Sequence, residues 1–211
     1  MATSALTPKP APEHRPTTPW RYGVGMFGTS IPINLIKGSM LYFYVALLGM
    51  PASVFATVYL VFGILDAIDN PLFGYLSDRT RTRWGRRKPY LVVGAGVLLL
   101  ASIALFTVPP SIAASATSLV VWFAVFAILA EMADSLINAN YGALLPELFP
   151  SEKVRASANA VRQGCQLVAM ILALGLTPVL AQNVLGCTAD APGCTDPTIG
   201  YSRLAIIFAV L

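Results

Sequence analysis

Two short runs of oxygen-bearing side chains, Asp66-Ala-Ile-Asp69-Asn70 and Glu131-Met-Ala-Asp134-Ser135-Leu-Ile-Asn138, stand inside long apolar stretches, and Lys37 stands inside a third. On a helix, residues three or four apart share a face. Asp66 therefore sits with Asp69 and Asn70, and Asp134 with Asn138. An ionisable side chain inside an apolar span is expensive to desolvate and marks a functional position by default. Carboxylates, amides and a hydroxyl grouped in this way suit a hard monovalent cation, because their oxygens replace its lost water. Neighbouring carboxylates also suit a shared proton.

At 1.5 Å of rise per residue, Lys37 lies a little over halfway along its stretch and Asp66 slightly below halfway. The two are expected to meet across a helix pair. Two readings follow. In one, Lys37 neutralises Asp66 or Asp69, while Glu131 and Asp134 snorkel or face water. In the other, the set forms a coupling-ion or proton route. The second is preferred, since seven polar groups besides Lys37 are more than one salt bridge needs.

Other chemistries lack their parts. The only histidine, His14, lies in a Pro-rich N-terminal segment, so no His-based metal cluster or His-dependent triad is available. Gly23, Gly25 and Gly28 follow no strand pattern, which favours helix packing over a phosphate loop. No Walker-type sequence is present. No enzymatic activity, cofactor or metal is expected beyond a monovalent cation.

The elements that must position these groups follow from composition. Of 211 residues, 56% are apolar or aromatic and 11% charged, and the mean hydropathy is +0.68. A soluble domain carries about 25% charged residues to wet its surface. The composition thus excludes a soluble globular enzyme, a disordered chain and a coiled coil. A net charge of +4 and a pI near 9.1 would raise nucleic acid in a soluble protein. Here the basic residues are confined to a few connections, and no nucleic-acid partner is expected.

A helix needs about 20 mostly apolar residues to cross the hydrocarbon core. The stretches 23–48, 53–76, 90–108, 117–142 and 157–182 meet that need. A sixth opens at Tyr201 and reaches Leu211, where a chain-terminal carboxylate would lie near mid-membrane at a cost of at least ~2.5–3.5 kcal/mol. The chain is therefore expected to be cut inside its sixth helix. Residues 1–21 carry five prolines and no apolar core, which predicts a disordered arm.

Twelve of the 14 Lys and Arg precede the first span, lie in the loop after the second, or surround the start of the fifth. The positive-inside rule then places the N-terminus and these loops in the cytoplasm. The expected setting is a multi-pass protein of the cell membrane, with a bacterial inner membrane as the first choice and the bilayer as a partner. Cys187 and Cys194 flank a loop on the opposite side. A disulfide and two unpaired thiols stand there as equal alternatives. Cys165 lies in a stripe with Ala169 and Ala173, the pattern of close helix packing.

The segment Gly74-Tyr-Leu-Ser-Asp78-Arg79-Thr-Arg-Thr-Arg-Trp-Gly85-Arg86-Arg87-Lys88-Pro89 resembles the loop between helices two and three of Major Facilitator transporters. Its expanded form is similar to that of the glycoside–pentoside–hexuronide cation symporters, the melibiose-permease branch. Asp66-Ala-Ile-Asp-Asn-Pro71 resembles the helix-two motif of that branch. Tyr141-Gly-Ala-Leu-Leu-Pro-Glu147 followed by Arg162 resembles its helix-four exit and helix-five entry, and Tyr22-Gly-Val-Gly-Met-Phe-Gly28 its helix-one opening. Four motifs in order, from about Trp20 onward, carry the likeness.

The resemblance implies an all-α membrane protein, the six-helix N-terminal bundle of a Major Facilitator fold with its sixth helix incomplete and a second six-helix half as partner. It implies a coupling cation, Na⁺, Li⁺ or H⁺, held by Asp66, Asp69, Asn70 and Ser135. The Asp and Asn of the last helix-two pair are interchanged relative to the family. Two of the family's sugar-contacting Asp positions are Ser30 and Asn138 here, its Trp is Gly142, and its helix-five Arg is Arg162. With Lys37, Asp134 and Tyr141, the residues Ser30, Asn138 and Arg162 are expected to line the solute path. Asp78, Arg79, Arg86 and Arg87 are expected to form a cytoplasmic gate whose ion pairs break and reform as the bundles rock.

The function expected from these residues is secondary active symport of a small solute, a sugar or glycoside first. Loss of two acceptor carboxylates and a stacking ring keeps a lysolipid or other amphiphile as an alternative. A non-transporting membrane scaffold is a third reading.

Overall fold

Without water to satisfy its amides, a backbone crossing a bilayer closes its hydrogen bonds within each segment, and the apolar stretches of this chain do so as helices. The computed structural model describes residues 18–80, 82, 83, 85–187 and 196–210, without the side chains of Asn70, Ala209 and Val210. Residues 1–17 of the arm expected at 1–21, the Asn70 side chain, Cys194 and Leu211 thus lie outside the described residues, whereas residues 19–21 of that arm are helical, because Pro19 is accommodated at the first position of the first helix.

Helix α1 is Pro19–Leu41, α2 Ala52–Arg79, α3 Lys88–Phe106, α4 the single turn Pro110–Ala113, α5 Ala116–Leu148, α6 Glu152–Val179 and α7 Ile199–Val210. No strand occurs among the described residues. The α1 helix starts with Pro19, where a missing N–H costs nothing. It continues as a π-helical segment, Tyr42–Leu47. Helix α6 likewise continues as Leu180–Val184, just after Pro178. Pro178 has no N–H to offer the preceding turn, a common origin of a local change in helical pitch.

Five segments are long and apolar enough to span a membrane: Pro19–Leu47, Ala52–Arg79, Lys88–Phe106, Ala116–Leu148 and Glu152–Val184. Bulky apolar side chains such as Leu60, Leu100 and Ile171 point outward, each more than 60% exposed. A soluble protein rarely presents so much contiguous apolar surface. The chain is an all-α, multi-pass membrane protein.

Helix α1 lies along α6, while α5 runs between α2 and α3, and α7 closes against α3 and the end of α6. Small residues set these distances. A Cβ on Gly23 would sit 2.5 Å from Val161 Cγ1 and 3.2 Å from the Val161 carbonyl carbon. A Cβ on Gly94 would sit 3.3 Å from the Ala133 carbonyl oxygen.

The two ends differ in chemistry. One gathers the start of α1, the loop joining α2 to α3, and the end of α5. There Tyr22 stacks on Tyr141 with ring centroids 4.7 Å apart and meets Phe149 edge-on. Tyr22 donates its hydroxyl to the Tyr141 carbonyl at 2.7 Å, and Tyr141 returns the bond to the Tyr22 carbonyl. The other end is an aromatic core of Phe43, Tyr44, Phe106, Phe123 and Tyr201. In it the buried Tyr44 hydroxyl donates to the Leu105 carbonyl at 2.8 Å. Polar groups lie between these two plugs.

Candidate functional site

The polar centre is built where α1, α2, α5 and α6 approach one another. Helix α5 supplies Glu131, Asp134, Ser135 and Asn138 on successive turns, and its neighbours bring one partner each. Lys37 of α1 extends its Nζ to 3.2 Å from Glu131 Oε2 and 3.4 Å from Asp134 Oδ2. Glu131 Oε1 accepts a hydrogen bond from the same ammonium at 3.4 Å. Asn138 Nδ2 donates to Asp134 Oδ1 at 2.8 Å, holding that carboxylate from one turn further on.

Across the other side of α5, Ser135 Oγ donates to Asp66 Oδ1 of α2 at 3.1 Å. Ser135 is 2% exposed, so this hydroxyl has its acceptor in α2 in place of water. Asp69, one turn beyond Asp66, is buried at 5% exposure, and its Oδ2 has no hydrogen-bond partner among the described residues. Glu131 and Asp134 pair with the one ammonium, and Asp66 and Asp69 add two further carboxylates to the polar centre, a formal charge of −3 if all are ionised. Such an excess inside a span calls for a compensating cation or proton.

A cleft of about 230 Å³ opens beside Lys37 between α1, α5 and α6. Ser30, Lys37, Asp134 and Asn138 line it, and so do Asn34, Gln163 and Gln166. The Ser30 hydroxyl is turned back on the Met26 carbonyl at 2.7 Å, and Asn34 Nδ2 donates to the Ser30 carbonyl at 2.7 Å. The cleft therefore presents amides, an ammonium and a carboxylate to a small polar guest.

The structure differs from the sequence expectations in several places. Lys37 was expected to meet Asp66 across a helix pair, but its ion pairs are with Glu131 and Asp134 of α5. Similar depth made Asp66 eligible, yet lateral position decides the partner, and α1 reaches α5 at this level. Tyr141 and Arg162 do not line the cleft; Tyr141 is committed to its stack on Tyr22. Arg162 has a buried Nε with no hydrogen-bond partner among the described residues, and its Nη1 lies 3.9 Å from where a Gly142 Cβ would be. The Asn34, Gln163 and Gln166 amides were missed. A signal existed for them: Asn34 is four residues from Ser30 and three from Lys37, and Gln163 and Gln166 are three apart.

At the basic end, Arg87 bridges Asp78 of α2 at 3.2 Å and Glu147 of α5 at 3.0 Å. These pairs tie three helices of this bundle to one another. Arg79 instead lies over the Tyr75 ring, 4.3 Å from its centroid. Arg86 is exposed and makes no ion pair among the described residues. Cys165 carries a free thiol and Cys187 is disulfide-bonded.

The model of the family described as MFS/sugar transport protein matches residues 21–211. An uncharacterized symporter of Synechocystis sp. is 33% identical over 171 residues, 80% of this chain and 31% of that protein. An isoprimeverose transporter of Lactiplantibacillus pentosus is 30% identical over 203 residues, 94% of this chain and 40% of that protein. A putative sulfoquinovose importer of Salmonella typhimurium is 30% identical over 197 residues, 90% of this chain and 38% of that protein. The chain spans about a third to two-fifths of the length of these curated relatives.

Proposed function

The chain belongs to the MFS/sugar transport protein family, in its glycoside–pentoside–hexuronide cation symporter branch, and from that premise we propose that it forms the N-terminal half of a symporter for a sugar or glycoside. The observation that carries the reading is the polar centre itself: excess carboxylates in the middle of apolar helices, next to a cleft lined by amides.

In this reading Asp66, Asp69, Asn70 and Ser135 hold the coupling cation. The Ser135 hydroxyl orients Asp66, and the unbonded Asp69 oxygen supplies a free ligand. The solute sits in the cleft beside Ser30, Lys37, Asp134 and Asn138, with Asn34, Gln163 and Gln166 as further hydrogen-bonding groups. A bound cation lowers the cost of the excess negative charge, so ion and solute favour the same arrangement of helices. Differential affinity of this kind is what couples two ligands. The second half of the fold would complete the solute site, and alternating access would rock the halves about it. The expected location is the cell membrane, with the basic end in the cytoplasm.

The test is uptake of radiolabelled glycosides into proteoliposomes holding the full-length protein, with imposed Na⁺, Li⁺ or proton gradients. Accumulation driven by one of these gradients and blocked by unlabelled glycoside is the expected result. Displacement by lysolipids and not by sugars would transfer the cargo to amphiphiles. Absence of gradient-driven uptake of either class would leave a scaffold.

A further inference from the structure

Lys37 occupies an unusual position. Its ammonium lies within 3.4 Å of three carboxylate oxygens, Glu131 Oε1, Glu131 Oε2 and Asp134 Oδ2. Oxygen-rich surroundings of this kind are where a free monovalent cation would bind. The Glu131 side chain is 4% exposed and that of Asp134 14%, so neither carboxylate can rely on bulk water. Glu131 Oε2 has no hydrogen bond among the described residues beyond this ion pair. The Lys37 side chain is 36% exposed and reaches in from α1 on a flexible stem. Helix α1 packs chiefly on α6, whereas α5 packs on α2 and α3. The ammonium therefore bridges two differently packed helix sets.

We propose that Glu131 and Asp134 form a second monovalent-cation site, permanently filled by the chain's own Lys37 ammonium. This rests on the symport reading, in which Asp66 and Asp69 hold the exchangeable ion. The two sites share α5: Ser135 binds Asp66, while the adjacent Asp134 binds Lys37. One cation is exchanged with solution and the other is carried on a tether. The tether supplies charge balance without drawing on the ion gradient. The groups facing the Lys37 ammonium are Glu131 and Asp134 of α5, with Asn138 behind Asp134 and Asp66 of α2 across Ser135.

Take away the tether and the site must capture a cation from water, either a metal ion such as Na⁺ or a proton. The alternative, an unpaired buried carboxylate, is strongly disfavoured. The experiment uses the full-length protein in detergent and an Asp66→Asn background, so that the exchangeable site is disabled first. Equilibrium ²²Na⁺ binding and proton uptake, read with a pH dye, are counted per chain for Asp66→Asn alone and with Lys37→Met or Lys37→Arg added.

Lys37→Met is expected to add one bound cation per chain, as Na⁺ or as a proton, and Lys37→Arg to add none. Adding Glu131→Gln to Lys37→Met should abolish the gain. No added cation of either kind in Lys37→Met overturns the proposal. If Lys37→Met alone does not fold, the charge-balanced Lys37→Met/Glu131→Gln pair should recover folding. Failure of that pair alongside a folded Glu131→Gln single variant overturns it as well. A background that still binds one Na⁺ before any change at Lys37 shows instead that Asp66 is not the exchangeable site, which separates the two claims.

Discussion

Gly23 and Gly28 lie on the same helix, yet the structure assigns them opposite responses to one added methyl group. At Gly23 the new Cβ would stand 2.5 Å from Val161 Cγ1, 3.2 Å from the Val161 carbonyl carbon and 3.3 Å from the Arg162 nitrogen. Rotation of Val161 relieves the first contact but not the two backbone contacts, so α1 and α6 must separate by a few tenths of an ångström. At Gly28 nothing lies within 4 Å. Both substitutions gain the same helix propensity, about 0.8–1 kcal/mol, which cancels between them. What remains is overpacking at Gly23, typically about 1–3 kcal/mol.

Gly23→Ala should therefore be less stable than Gly28→Ala by about 1–3 kcal/mol. The assay is reversible chemical unfolding of the full-length protein in detergent, with both variants prepared alike. The same separation would lift Ser30, Asn34 and Lys37 away from Gln163 and Gln166, so solute affinity should fall in Gly23→Ala alone. A gap under about 0.5 kcal/mol, within ordinary non-additivity, would refute the close approach of α1 to α6.

Two other outcomes follow from named contacts. Ser135→Ala removes the buried donor to Asp66. A hydrogen bond to a charged group contributes about 1.5–3 kcal/mol, and half-exposure of Asp66 favours the low end, so the ion concentration for half-maximal uptake should rise roughly tenfold; an unchanged value contradicts the pairing. Arg87→Ala removes two ion pairs whose carboxylates are 62% and 42% exposed. Solvent screening limits the loss to about 1 kcal/mol in all. It should shrink further in 1 M salt by thermal-shift measurement, and a larger, salt-insensitive loss would show that Arg87 acts through packing.

Several features of this site are legible in the sequence because they are local. The face shared by Asp134 and Asn138 follows from helical spacing, and their hydrogen bond obeys it. Apolar length marks the spans, since hydrocarbon thickness sets it. It does not mark helix ends: α5 runs on to Leu148, past the apolar stretch that stops at 142, because backbone bonding continues where hydropathy falls. The Lys37 partner was not legible. Depth is one coordinate, and the choice between α2 and α5 depends on the lateral packing of helices far apart in sequence. Asn34, Gln163 and Gln166 were overlooked because uncharged amides announce themselves weakly on a helix. Their convergence appears only once α1 lies on α6. Glu147 stands within a local motif, but its bond to Arg87 joins residues 60 apart and has no local signal.

The central claim is that carboxylates of α2 couple an ion to solute movement, and Asp66→Asn in the full-length protein tests it most directly. In proteoliposomes, solute exchange down its own gradient should persist while ion-driven accumulation is lost. Accumulation equal to that of the parent protein would contradict it.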